Sequence, residues 1–133
     1  MKTKICIFSG NRAEYGLLKP IIEKIKKNKK FLVDLLISGA HLEKDYGKTI
    51  NEIKKDGFKK FFKVSLKNKF KKDHSVNSKV IGLGVIKISN LLAKIKPDIF
   101  LVYADRFEGF SAVIASTQMN IPTIHVEGGD ITE

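Results

Sequence analysis

The chain has 133 residues, 43% hydrophobic and 29% charged, which suits one globular domain spanning 1–133 and excludes a fibrous or disordered chain. Its formal net charge is +11, and its single cysteine, Cys6, rules out an internal disulfide scaffold. The first ten residues hold only the apolar run Ile5–Phe8, too short for a signal peptide, and no stretch is expected to reach the length of a membrane span, so a reducing, cytoplasmic setting is expected.

Lys4–Phe8 reads as a first strand. Ser9–Gly16 (SGNRAEYG) follows, a turn that leads into the helical spacing of Leu17, Leu18, Ile21, Ile22 and Ile25. A strand that stops at a glycine and opens a helix leaves the first-turn N–H groups without internal partners, which favours an anion. Arg12 can add a planar fork of donors there, and Gly10 and Asn11 complete the turn. The segment lacks the GxGxxG dinucleotide fingerprint, and a plain strand-to-helix turn is the competing reading. Pro20 implies either a regular helix starting near Lys19 or a longer helix kinked at that point.

Phe31–Ile37 is a near-continuous apolar run, as expected of a parallel strand covered on both faces. Ser38–Tyr46 is a polar loop in which His41 is expected at the surface, as is His74 further on. Lys48–Asp56 predicts a short helix stopped by Gly57, and Phe58–Val64 an edge strand. Ser65–Asp73 has no periodicity. Ile81, Val85, Ile88, Leu92 and Ile95 then mark the core stripe of a helix from Ser75 to Ile95. Ile99–Tyr103 is a buried strand, Phe107–Met119 a helix, and Thr123–Val126 a fifth strand.

The alternation of strands and helices predicts a doubly wound, parallel five-stranded sheet of Rossmann-like type. Strand order 3-2-1-4-5 sets the first and fourth strands side by side, with a ligand crevice at their C-terminal ends. Arg12 follows the first strand and Asp105–Arg106 the fourth. The fifth brings His125 and Glu127 beside them, on one face if strand alternation continues. Asp105 is open to three roles, helix cap, acid/base group or partner of a sugar hydroxyl. No CxxC, HxxxH or EF-hand spacing is present, so neither a metal nor another cofactor is expected.

Charge is uneven: residues 1–72 hold 20 basic and 7 acidic groups, residues 73–133 only 5 and 7. The basic runs Lys26–Lys30 and Lys54–Lys72 contain no arginine, which reads as solvated helix faces and guarded edges rather than a nucleic-acid surface. The chain has only two arginines, Arg12 and Arg106, each just after a predicted strand.

Five segments, GNRAEYGLLKP, SGAHLEKDYG, KDGF, KPDIFLVYADRFE and NIPTIHVEGGDITE, stand in the order and spacing of the hydrolysing UDP-N-acetylglucosamine 2-epimerases. The chain resembles most the branch serving sialic and legionaminic acid synthesis. The resemblance implies the N-terminal half of a glycosyltransferase-B-like fold and a UDP-sugar substrate. The implied reaction releases UDP by elimination, adds water to the resulting glycal, and yields a free sugar of the N-acetylmannosamine type.

By motif position, Arg12 contacts the diphosphate, Asp105 and Glu127 are acid/base carboxylates, and Arg106 and His125 support the sugar–phosphate end. Asn11 stands where the family has threonine, and Ala104 where it has glycine. The resemblance implies a C-terminal domain that this chain lacks, supplied by more chain or by a second polypeptide, and allows a homo-oligomer. Alone, the chain is expected to be inactive. A silent nucleotide-sugar-binding module and an unrelated basic interaction protein on the same sheet are the alternatives.

Overall fold

The computed structural model describes residues 1–42, 48–59, 61–103 and 106–129. The elements are β1 (Thr3–Ser9), α1 (Arg12–Lys27), β2 (Phe31–Ser38), a single 3-10 turn (Gly39–Leu42), α2 (Lys48–Lys55), β3 (Phe62–Val64), α3 (Val76–Ile95), β4 (Ile99–Tyr103), α4 (Phe107–Gln118) and β5 (Thr123–Val126). The strands form one parallel sheet in the order β3-β2-β1-β4-β5. β1 lies at its centre, pairing Ile7 with Leu35 on one side and with Leu101 on the other.

Both faces are covered, which is why the central strands are apolar throughout. Ile5 and Ile7 of β1 pack with Tyr15, Leu18 and Ile22 of α1 and Ile53 of α2. Cys6 and Phe8 point the other way, against Ile88, Leu92 and Ile95 of α3 and Ala112 and Ala115 of α4. Burial drives the Cys6 thiol pKa well above its ordinary value, so the sulfur behaves as a small apolar group. The N-terminal ends of β1 and β4 are tied together: the Lys4 N–H donates to Asp98 Oδ2 at 2.7 Å, and Lys4 Nζ to the Ile95 carbonyl at 2.9 Å.

Several expectations shift. α1 begins at Arg12 and runs through Pro20, so the start near Lys19 is not adopted. Asn11 decides this by capping the helix, its side chain accepting from the Glu14 N–H. The predicted edge strand narrows to the three residues of β3. On α3 the buried positions are Val80, Gly84, Ile88, Leu92 and Ile95, while Ile81 and Val85 are only half-buried. The stripe rotates because Gly84 admits α4: a methyl there would lie 2.6 Å from Ser111 Oγ.

α3 also corrects the expectation about membrane length. At 20 residues and mean hydropathy 1.2 it is long and apolar enough, by length and composition alone, to span a bilayer. Here one side of it packs on α4 and the sheet. Lysine stems elsewhere cover apolar surface; Lys26 Nζ stands 4.3 Å from the Phe58 ring centroid.

The two α3 glycines make a paired test. Gly84→Ala forces a methyl into Ser111 and is expected to destabilise by about 1–3 kcal/mol. Gly82→Ala meets nothing within 4 Å and is expected to stabilise by about 0.5–1 kcal/mol. Urea unfolding midpoints of the two variants should move in opposite directions.

Candidate functional site

The loops leaving β1, β2, β4 and β5 all emerge at the C-terminal edge of the sheet. At the β1 exit the turn is held by a reciprocal cap. Asn11 Oδ1 accepts from the Glu14 N–H at 3.0 Å, and Glu14 Oε2 accepts from the Gly10 N–H at 2.6 Å. The pattern is a capping box displaced by one residue. It occupies one first-turn donor and brings a buried carboxylate beneath the turn. Burial raises the Glu14 pKa, opposed by the Gly10 N–H and by the positive charge of Arg106.

Glu108, in the first turn of α4, is equally buried and adds a second negative charge next to Glu14. Arg106 closes on it, Nε and Nη2 each 3.2 Å from one of its oxygens. The Glu108 hydrogen bond raises the Arg106 pKa further above its ordinary value. The β2 exit joins the same cluster through Gly39, whose φ is 57°. A Cβ at Gly39 would sit 2.6 Å from the Gly10 carbonyl and 3.1 Å from Glu108 Oε1, so only glycine fits. Three loops thus converge on Gly10.

At the β4–β5 exit, Tyr103 lies opposite Val126 in the parallel register. Its hydroxyl donates to Glu127 Oε2 at 2.9 Å, which raises the phenol pKa. The negative charge of Glu14 also reaches Tyr103, linking the two halves of the edge. Glu127 adopts φ 55°, a left-handed conformation that costs a non-glycine residue about 1–2 kcal/mol. That turn ends the strand alternation at Val126. The expectation that His125 and Glu127 share a face by alternation is therefore corrected, since the bend carries the Glu127 carboxylate to Tyr103. Both residues are exposed.

Arg12 takes a different direction. Its Nη2 lies 2.9 Å from Glu52 of α2, and both side chains are well exposed. The structure therefore gathers Arg106 with Glu14 and Glu108, and Glu127 with Tyr103, while Arg12 leans toward the α2 side of the same edge. Asp105 and Ala104 lie outside the described residues, as do residues 43–47 and 130–133 of the two loop motifs. The N-cap position of α4 falls on Arg106, without a side-chain capping bond. Among the described residues, no group of three or more His, Cys, Asp or Glu side chains is placed to hold a metal ion.

His41 is the clearest correction: expected at the surface, it is fully buried. Its Nε2 lies 2.8 Å from Ser9 Oγ, and Ser9 Oγ donates to the Asn11 carbonyl at 3.1 Å. With the Ser9 hydroxyl donating to the Asn11 carbonyl, its oxygen is placed to accept from His41 Nε2. Nδ1 has no partner among the described residues. The ring meets Tyr15 edge-on at 6.3 Å. His41 and Ser9 thus brace the turn that carries Asn11 and Arg12. Tyr15 extends the support outward, donating to Asp56 at 2.7 Å, where Lys19 also pairs at 2.7 Å.

This Rossmann-like lobe, with charged groups drawn together at its C-terminal edge, has close counterparts among known proteins. Residues 23–133 match the family model for UDP-N-acetylglucosamine 2-epimerase, and the chain belongs to that family. It is 33% identical over 132 residues to the UDP-N,N'-diacetylbacillosamine 2-epimerase (hydrolyzing) of Legionella pneumophila, covering 98% of this chain and 34% of that protein. It is 32% identical over 134 residues to the GDP/UDP-N,N'-diacetylbacillosamine 2-epimerase (hydrolyzing) of Campylobacter jejuni, again covering 98% of this chain and 34% of that protein.

Among solved structures, a UDP-N-acetylglucosamine 2-epimerase superposes with a TM-score of 0.81 at 21% identity, over 99% of this chain and 35% of that one. The Neisseria meningitidis enzyme bound to UDP-GlcNAc gives 0.77 at 22%, over 98% and 33%. The fold is thus the N-terminal half of a glycosyltransferase-B-like fold, and the chain spans about a third of the length of the curated relatives it matches.

Burial depresses the His41 pKa to about 4. The unfolded imidazole protonates near 6.5, so between these values the unfolded state binds more protons and stability falls as pH is lowered. The full shift corresponds to roughly 3 kcal/mol, lost between about pH 6.5 and pH 4. Denaturant unfolding of the chain and of His41→Gln at pH 7.5, 5.5 and 4.5 should show the variant losing less stability over that range.

Proposed function

We infer that this chain is the N-terminal lobe of a hydrolysing UDP-sugar 2-epimerase, binding a UDP-2-acetamido sugar along the C-terminal edge of its sheet. The observation that carries the reading is Arg106, aimed at the β1 exit by buried Glu108 and next to Glu14. A guanidinium placed at the β1–β4 switch point suits the leaving diphosphate. The family membership and the names of the hydrolysing relatives support the same chemistry.

In this reading Arg106 and Arg12 bind the diphosphate, exchanging their carboxylate partners for phosphate oxygens. One carboxylate of the Glu127–Asp105 pair takes the C2 proton while the C1–O bond breaks and its electrons leave with UDP. Water then adds its oxygen at C1 of the glycal and loses one proton to solvent, the other carboxylic acid returns a proton to C2 on the opposite face, and the free 2-epimer is released. Tyr103 holds the Glu127 carboxylate in place by its hydrogen bond. His125 lies on β5 beside them, and Gly10 and Asn11 form the floor of the turn. A second lobe completes the crevice around the uridine.

Titration calorimetry with UDP tests this directly. The chain is expected to bind UDP, and Arg106→Ala and Arg12→Ala to weaken it by about 1.5–3 kcal/mol each, the worth of a hydrogen bond to a charged group. Incubation of the 133-residue chain with UDP-N-acetylglucosamine is expected to release no UDP. UDP affinity indifferent to both arginines counts against the assignment, and turnover by the isolated chain overturns the need for a second lobe.

A further inference from the structure

The turn leaving β5 contains two glycines that have different causes. Gly129 has φ 87°, a left-handed conformation that glycine reaches without strain. Gly128 does not take a left-handed φ, so conformation does not call for glycine there. Space does. A Cβ at Gly128 would collide with Nδ1 and Cε1 of the His125 ring and lie 2.8 Å from its Cγ. The imidazole therefore lies directly against the Gly128 backbone, across the bend at Glu127.

His125 and Tyr103 reach this turn from opposite faces of the sheet. In the parallel register His125 pairs with Val102, which packs in the α3/α4 core, whereas Tyr103 packs on the α1 side. Register partners point to the same face, so His125 leaves β5 on the α4 side. The chain then bends at Glu127, whose Oε2 accepts from the Tyr103 hydroxyl on the other side at 2.9 Å. A left-handed glutamate is strained and persists only where its surroundings hold it. The ring on Gly128 and the phenol on Glu127 hold two adjacent residues of that bend.

We propose that His125 is a positioning residue: its ring, seated on Gly128, fixes the β5 exit turn so that the Glu127 carboxylate stays on Tyr103, and Gly128 is glycine to leave room for that ring. His125 aims the carboxylate rather than touching the sugar. The inference rests on the functional reading above for what Glu127 does once aimed. Without the ring the bend is released, and Glu127 relaxes toward extended backbone. Alternation then turns its side chain to the His125 face, away from Tyr103. A methyl at Gly128 expels the ring and has the same consequence.

The Tyr103 phenol reports the contact, because the Glu127 hydrogen bond is the largest cause of its raised pKa, ahead of desolvation and the charges of Glu127 and Glu14. An NMR titration of the 133-residue chain, isotope-labelled at tyrosine Cζ, follows it. The Tyr103 resonance is the one absent from Tyr103→Phe, and Glu127→Ala sets the titration of the phenol without its partner. In His125→Ala and in Gly128→Ala the Tyr103 titration is expected to fall to the Glu127→Ala position. His125→Phe, which keeps a planar ring over Gly128, is expected to leave it raised. Combining His125→Ala with Gly128→Ala should move Tyr103 no further than His125→Ala alone, since both remove one contact. A titration unmoved by His125→Ala or by Gly128→Ala overturns the proposal, as does loss of the raised value in His125→Phe. The readout needs no ligand, so failure of the chain to bind UDP overturns the epimerase reading and leaves the role of His125 in the turn standing.

Discussion

The hydrogen bond from the Gly10 N–H to the buried carboxylate of Glu14 is the contact on which the candidate site depends. A carboxylate in a poorly solvated place is costly unless it is hydrogen-bonded and faced by a positive charge. Glu14 meets both conditions, the first through the backbone of its own capping box, the second through Arg106 on a different loop. The same demand applies to Glu108, which holds Arg106 through two bonds. One guanidinium therefore serves two buried acids, and the exits of β1 and β4 are drawn together electrostatically where the sheet has already set them side by side. Gly39 completes the closure, since any side chain there would collide with the Gly10 carbonyl.

The β1 turn is braced from beneath as well. The His41–Ser9–Asn11 series fixes the carbonyl at the start of α1 by neutral hydrogen bonds, with the histidine held uncharged by burial. Charged contacts on the site side and neutral ones on the core side give the turn a defined position without placing net charge in the core. The Tyr15, Asp56 and Lys19 contacts continue that support to the surface of α1. There burial opposes ionisation of Asp56, but bonds from Lys19 and Tyr15 outweigh it and keep its pKa below the ordinary value.

Strand order and direction were legible because each strand is a short apolar run and each crossover a helical period, so few topologies remained. Ile99–Tyr103 and Thr123–Val126 coincide with β4 and β5 for that reason. Where sequence and structure differ, tertiary contacts are the reason. His41 sits among polar and charged neighbours in sequence, and its burial arises only because the β2 exit folds under the β1 turn. Hydrophobicity alone places Ile81 and Val85 on the α3 stripe, yet Gly84 faces inward because Ser111 of α4 needs the space. Glu127 left the strand pattern through a backbone turn that alternation cannot encode. The Asn11–Glu14 spacing of a cap and the Tyr103–Val126 neighbourhood could have been read, the first from the sequence directly, the second once strand order was fixed.

The two arginines differ in how firmly the protein holds them. Arg12 and Glu52 form an exposed pair, a kind worth only about 0–1 kcal/mol, so releasing Glu52 costs little. Arg106 is about half exposed while its partner Glu108 is buried, so only one side of the guanidinium is committed to the protein. On the proposed reading, a diphosphate offers Arg106 shorter, stronger charge-assisted bonds than its 3.2 Å contacts with Glu108. Which carboxylates are buried and which are exposed thus decides how much of each guanidinium the protein holds, a distinction the residue types alone do not reveal.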